Sequence, residues 1–177
     1  MRSSDTHSVM FTDVKVPKEN RIGEDGFGFK FAMLVLEAGR IGIASQALGI
    51  ASGAFERATA YAKERKAFGT EIANHQSVAF KLSDMAVKIE NARNLCLKAA
   101  WLKDNHQPVT VASAMAKQYA ADIAMEVTTE AVQIHGGYGY VKEYHVERLM
   151  REAKLTQIYE GTSEVQKIII SRAVLKG

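Results

Sequence analysis

Cysteine is all but missing from this sequence: Cys96 stands alone. A single thiol excludes an internal disulfide framework and any zinc site built from cysteines. Set among apolar residues at helical spacing, Cys96 reads as a small buried hydrophobe rather than a nucleophile. Proline is nearly as scarce, with 2 in 177 residues, which argues against a loop-rich or linker-rich chain. No run of about 18 apolar residues occurs, so no membrane span is expected. Residues 1–5 offer no apolar stretch of the kind a secretory signal uses, so secretion is not expected either. Charge of one sign is lacking too. The formal net charge of +3 is spread along the chain and gives nucleic acid no basic stripe to bind. No Glu is followed three residues later by His, as a carboxylate di-iron bundle requires. His7, His75, His106, His135 and His145 are scattered at loops and helix ends, so no metal site is expected.

What is present reads as a folded domain of ordinary size, 47% hydrophobic and 24% charged. Residues 8–17 are rich in β-branched side chains in rough alternation and end at Pro17, which predicts one strand. Gly23, Gly26 and Gly28 then mark a flexible junction and the one clear boundary, between residues 1–22 and 23–177. Beyond it helices take over. Ile41, Ala44, Leu48, Ala51, Phe55, Ala58 and Ala62 step by threes and fours along one face, as do Val78 to Ala99 and Ala116 to Ile134. Each of the three predicted helices is about thirty residues, or roughly 45 Å, long. Two shorter ones follow, over residues 146–157 and 164–176, the last with Ser163 and Gln166 spaced as a capping box. Long helices, short turns and alanine-rich inner faces predict an all-α fold, an antiparallel four-helix type of bundle.

Several residues could carry chemistry. Gly23-Glu24-Asp25-Gly26-Phe27-Gly28 fits neither the dinucleotide fingerprint nor the P-loop, and reads as a hinge. Gly136-Gly137-Tyr138-Gly139-Tyr140 ends a helix and also lets another group approach the backbone, with Gln133 one turn earlier. Arg65 at a helix end is either a solvated charge or a bidentate phosphate ligand. Arg40, in an apolar stretch, needs a partner if buried; Glu37 is available for a salt bridge, and a ligand contact is the other reading. Glu160 lies in a turn between helices, beside Ile158 and Tyr159, just before a helix N-terminus of the kind that attracts anions. It is either a solvated loop carboxylate or a general base.

Three blocks bear a resemblance. Glu64-Arg65-Lys66-Ala67-Phe68-Gly69, Gln133-Ile134-His135-Gly136-Gly137-Tyr138-Gly139 and Ile158-Tyr159-Glu160-Gly161-Thr162-Ser163 resemble the acyl-CoA dehydrogenase family in order and spacing. Gly39-Arg40-Ile41-Gly42-Ile43-Ala44 resembles its short-chain, butyryl-type branch. The resemblance implies the family's C-terminal helical bundle at residues 23–177, with residues 1–22 the tail end of its middle β domain. It implies α,β-dehydrogenation of an acyl-CoA thioester with FAD, Glu160 being the catalytic base. Arg65, Lys66, Ala67, Phe68, His75, Gln76, Gln133, Ile134, His135, Gly136, Gly137, Thr162, Ser163 and Glu164 match cofactor-binding positions. Gln133 to Gly137 are normally supplied by a neighbouring subunit. Glu37, Ala38, Gly39, Arg40, Tyr159 and Gly161 match substrate-binding ones. The implied partners are acyl-CoA, an electron-transfer flavoprotein and further copies of the chain in a homotetramer. The implied compartment is a bacterial cytoplasm or a mitochondrial matrix. An acyl-CoA oxidase and a non-catalytic helical scaffold are the alternatives. The chain by itself is expected to fold as a bundle without useful turnover.

Overall fold

A computed structural model describes residues 6–176. The helices are α1 (Gly28–Glu64), α2 (Gln76–Asp104), α3 (Thr110–His135), α4 (Val146–Thr156) and α5 (Ser163–Lys176). A short hairpin, β1 (Lys66–Ala67) and β2 (Thr70–Glu71), joins α1 to α2. Its turn, Phe68-Gly69, has both residues at positive φ, 54° and 85°, the geometry that matches the twist of a two-residue hairpin.

α3 is the centre of the bundle and packs against all four other helices. The reason is alanine. Ala44, Ala47, Ala51, Ala54, Ala58 and Ala62 of α1 and Ala116, Ala120, Ala124 and Ala131 of α3 are fully buried. Small side chains in these rows let two long backbones approach closely. Glu37 accepts a hydrogen bond from Thr110, joining the third turn of α1 to the start of α3. The Tyr61 and His135 rings stack at 4.3 Å and join their ends. α2 returns antiparallel, tied to α3 by the ion pairs Lys81–Glu130 and Lys88–Glu126.

The predicted bundle is therefore present, with three differences. First, α1 is longer than the periodicity from Ile41 implied: it begins at Gly28, runs 37 residues and holds Gly39 and Gly42 in its interior. Each internal glycine costs a helix about 1 kcal/mol, which packing along the alanine row outweighs. Second, the strand expected over residues 8–17 is not formed. The segment is exposed throughout and pairs with no other strand among the described residues, and a strand needs a neighbouring edge for its backbone groups. Third, α1 is long and apolar enough, by length and composition, to cross a membrane, which run length alone did not reveal. It nevertheless carries Glu37 and Arg40, and it buries its alanine row against α3. Phe29, Phe31, Met33, Leu34 and Val35 of its first turns remain exposed.

Candidate functional site

The turn between α4 and α5 has consecutive left-handed residues, Glu160 at φ 54° and Gly161 at φ 86°. A non-glycine residue in that conformation costs about 1–2 kcal/mol, so the surroundings must hold it. Two fully buried polar side chains reach the turn, Lys117 from α3 and Gln166 from α5. The Gly161 carbonyl accepts from Lys117 Nζ at 2.8 Å and from Gln166 Nε2 at 2.9 Å. Gln166 Nε2 also donates to the Glu160 carbonyl at 3.2 Å. Asp122 of α3 accepts from Gln157 Nε2 at 2.8 Å and Ser163 Oγ at 3.1 Å, pinning both ends of the turn.

The expected capping box is displaced by these contacts. Ser163 is already the first residue of α5, and its hydroxyl is spent on Asp122. Thr162 takes the capping place, its Oγ1 accepting from the Val165 N–H at 3.4 Å. Glu164 is exposed in the first turn of α5. Its carboxylate is held below its ordinary pKa by its own backbone N–H and by the Thr162 hydroxyl.

Glu160 extends toward α1 and occupies the space beside Gly39. A Cβ on Gly39 would lie 2.5 Å from Glu160 Oε2 and 3.1 Å from its Cδ. Oε2 is buried and accepts no hydrogen bond. The adjacent Arg40 is 8% exposed, and its Nε is likewise buried without a partner. Burial lowers the Arg40 pKa, while the charges of Glu37 and Glu160 act against that effect. Among the described residues neither carboxylate closes an ion pair with Arg40, and Glu37 accepts from Thr110 instead. Burial also lowers the Lys117 pKa, opposed by Asp122, Glu160 and Glu164. Tyr159 donates its hydroxyl to Gln46 Oε1 of α1, and its burial raises its pKa. Ala38 is half-buried in the same turn of α1. Buried polar atoms are rarely left unpaired. An unpaired carboxylate oxygen close to an unpaired guanidinium N–H suits a polar ligand and a proton transfer.

A second group of candidates gathers at the far ends of α1 and α3. The Arg65 N–H closes α1 on the Tyr61 carbonyl at 2.8 Å, and its guanidinium lies 5.6 Å from the Tyr138 ring centroid. Tyr61, Arg65, Ile72, Gly136, Gly137 and Tyr138 line a cavity of about 470 Å³. In the hairpin, Lys66 is exposed 3.6 Å from Glu71, Ala67 is half-buried, and Phe68 stands 98% exposed. The His75 ring lies within hydrogen-bond distance of the Ala67 carbonyl, 3.1 Å from Nε2, and meets Phe68 edge-on; Gln76 opens α2, exposed. Gln133 is exposed, whereas Ile134 and His135 are buried. His135 donates Nδ1–H to the Ala131 carbonyl at 2.7 Å and is held below its ordinary pKa by burial. The side chains of Ile134 and His135 thus pack the turn from within.

The two groups are well separated. Arg40 and Arg65 are about twenty-five residues apart on α1, roughly 37 Å at the helical rise. Lys117 and Gly136 are about nineteen residues apart along α3, roughly 28 Å. The Glu160 turn and the Arg65–Gly136 cavity are therefore different places on one copy of the chain.

Residues 26–175 match the family model described as acyl-CoA dehydrogenase, C-terminal domain. The chain belongs to the acyl-CoA dehydrogenase family. The short-chain-specific acyl-CoA dehydrogenase of Clostridium acetobutylicum is 56% identical over 99% of the chain and 46% of its own length. The caffeyl-CoA reductase–Etf complex subunit CarC of Acetobacterium woodii is 53% identical over 97% of the chain and 45% of its own length. The butyryl-CoA dehydrogenase structure from Megasphaera elsdenii superposes with a TM-score of 0.92 at 57% identity, covering 93% of the chain and 43% of that structure. The chain thus spans less than half the length of these family members. Within this family domain, Lys117 and Asp122 are the polar residues that the sequence pattern did not single out, and Gln166 holds the turn instead of closing a capping box. The available signal was a lysine falling on the buried row of α3, between Ser113 and Ala121.

Proposed function

We propose that the protein containing this chain is an FAD-dependent short-chain acyl-CoA dehydrogenase, in which the chain forms the C-terminal bundle and residues 1–22 end the middle β domain. One observation carries the reading: the buried, unpartnered Glu160 oxygen beside Gly39. Such an oxygen is free to take a proton from the carbon next to a thioester carbonyl. The Glu160 N–H makes no backbone hydrogen bond among the described residues, so it can donate to the thioester oxygen as negative charge develops there. In this reading Gly161 lies against the thioester, next to the base. Glu37, Ala38, Gly39, Arg40 and Tyr159 form the acyl-CoA wall.

The residues present fit the cofactor. A guanidinium and a glycine turn with Gly136 at φ 59° bordering one cavity are a donor set for a pyrophosphate. Arg65 to Phe68, His75, Gln76 and Gln133 to Gly137 would hold that end of FAD, and Thr162 to Glu164 the end near the base. Bound FAD supplies the acceptor for the hydride that leaves the β carbon. The separation along α1 and α3 exceeds the reach of one dinucleotide, so the two donor sets belong to sites completed by different copies, as in a homotetramer. The Acetobacterium woodii relative is named as part of an Etf complex, and we extend that class of electron acceptor to this protein.

The test is Glu160→Gln in the flavin-loaded enzyme. Solvent exchange of the α proton of butyryl-CoA is expected to vanish while yellow flavin is retained. Exchange at the normal rate would remove Glu160 from the role of base.

A further inference from the structure

We propose that Lys117 and Gln166 are positioning residues for Glu160: together they clamp the Gly161 carbonyl and so hold the carboxylate in its slot against Gly39. The inference rests on the reading of Glu160 as the base.

Lys117 is the largest fully buried side chain in the bundle, and Gln166 is also fully buried. A buried ammonium is costly and is kept only where its hydrogen bonds are used. Packing alone would be served by methionine or leucine among the alanines of α3. The Lys117 stem instead delivers Nζ to a backbone carbonyl 44 residues away in sequence, at 2.8 Å. Gln166 meets the same carbonyl from the opposite element at 2.9 Å and spans to the Glu160 carbonyl. Two donors from two helices therefore fix both peptide groups on the C-terminal side of Glu160. The turn needs this restraint, since Glu160 and Gly161 are both left-handed. The carboxylate gets none of it directly, because Oε2 has no hydrogen-bond donor. Holding the backbone leaves the carboxylate oxygen free to accept a proton, whereas a donor placed on the oxygen itself would compete with the substrate.

The test compares Lys117→Met, which keeps the stem and removes the donor, with Gln166→Leu and with Met85→Ala. Met85 is 2% exposed in α2, in the stretch between Lys81 and Lys88 that is tied to Glu126 and Glu130 of α3 rather than to Lys117, so its variant reads the effect of lost stability. In the flavin-loaded enzyme, Lys117→Met is expected to lower kcat and α-proton exchange about ten- to hundredfold, the range for a displacement of about an ångström. KM and flavin content should stay within about threefold of wild type, a split expected of a group that acts in the transition state. In the 177-residue chain without ligand, deuterium uptake by the peptide spanning residues 157–163 should accelerate, while uptake in α2 stays unchanged. Gln166→Leu should act in the same direction, and it decides alone if Lys117→Met does not fold. Kinetics and loop uptake no more affected than in Met85→Ala would overturn the proposal. Should Glu160→Gln retain exchange while the loop still loosens in Lys117→Met, the base assignment fails and the clamp stands, so the two failures are distinguishable.

Discussion

Gly39 lies inside α1, and Glu160 Oε2 fills the place where its side chain would go. In Gly39→Ala the new Cβ would sit 2.5 Å from that oxygen, against an ordinary contact of 3.4 Å or more. The oxygen must retreat by about 0.9 Å. It is the end of a flexible side chain, so the helix backbone need not move. Alanine is also favoured over glycine in a helix interior by about 1 kcal/mol. The expected change in stability is therefore between zero and a gain of about 1 kcal/mol, or up to about 4 °C in Tm for a domain of this size. Proton transfer pays the cost instead: a misplacement of about 1 Å is worth about a hundredfold in rate, or roughly 2.7 kcal/mol of barrier. Gly49→Ala is the control on the same helix, because nothing lies within 4 Å of its Cβ position. It should gain the same stability and leave the rate alone. Thermal unfolding reads one quantity and α-proton exchange in the flavin-loaded enzyme reads the other. A Gly39→Ala variant with wild-type exchange, or one destabilised by more than about 1 kcal/mol, would refute the assigned position of the carboxylate.

Three further outcomes are expected. Gly136 has φ 59° and ψ −135°, a region open almost only to glycine, so Gly136→Ala should cost about 1–3 kcal/mol in thermal unfolding. His135 has its pKa lowered from 6.5 by burial. The unfolded chain then binds a proton that the folded chain refuses, so stability is full above pH 6.5 and falls as the pH drops below it. Denaturant titrations from pH 7.5 to 5 should show this fall, and His135→Phe, which keeps the stack on Tyr61, should flatten it. The Cys96 thiol is pushed up to about 11 by burial, so a thiol reagent at pH 8 should label it only after unfolding.

Much of the bundle was legible because helical periodicity is local: the alanine steps from Ala44 to Ala62 mark a face whatever that face meets. The motif blocks likewise pointed to the family through residue type and order alone. Features that depend on a partner were not legible. The alternation in residues 8–17 is real, yet no described strand lies beside it and none forms. Ser163 and Gln166 have capping-box spacing, yet Asp122 and the Glu160–Gly161 carbonyls claim them first. A lysine in a helix reads as surface until its neighbours on α3 prove buried, and the contact of Lys117 with Gly161 spans 44 residues.

The sequence alone therefore determined the helices, their alanine faces and, through its motif blocks, the family, since these follow from short-range spacing and residue type. Only the tertiary structure decided that Glu160 lies against Gly39, that Lys117 and Gln166 hold its turn, and that the Arg65–Gly136 cavity sits at the other end of α1. The Gly39–Glu160 and Lys117–Gly161 contacts join segments far apart in sequence, and no local pattern encodes them.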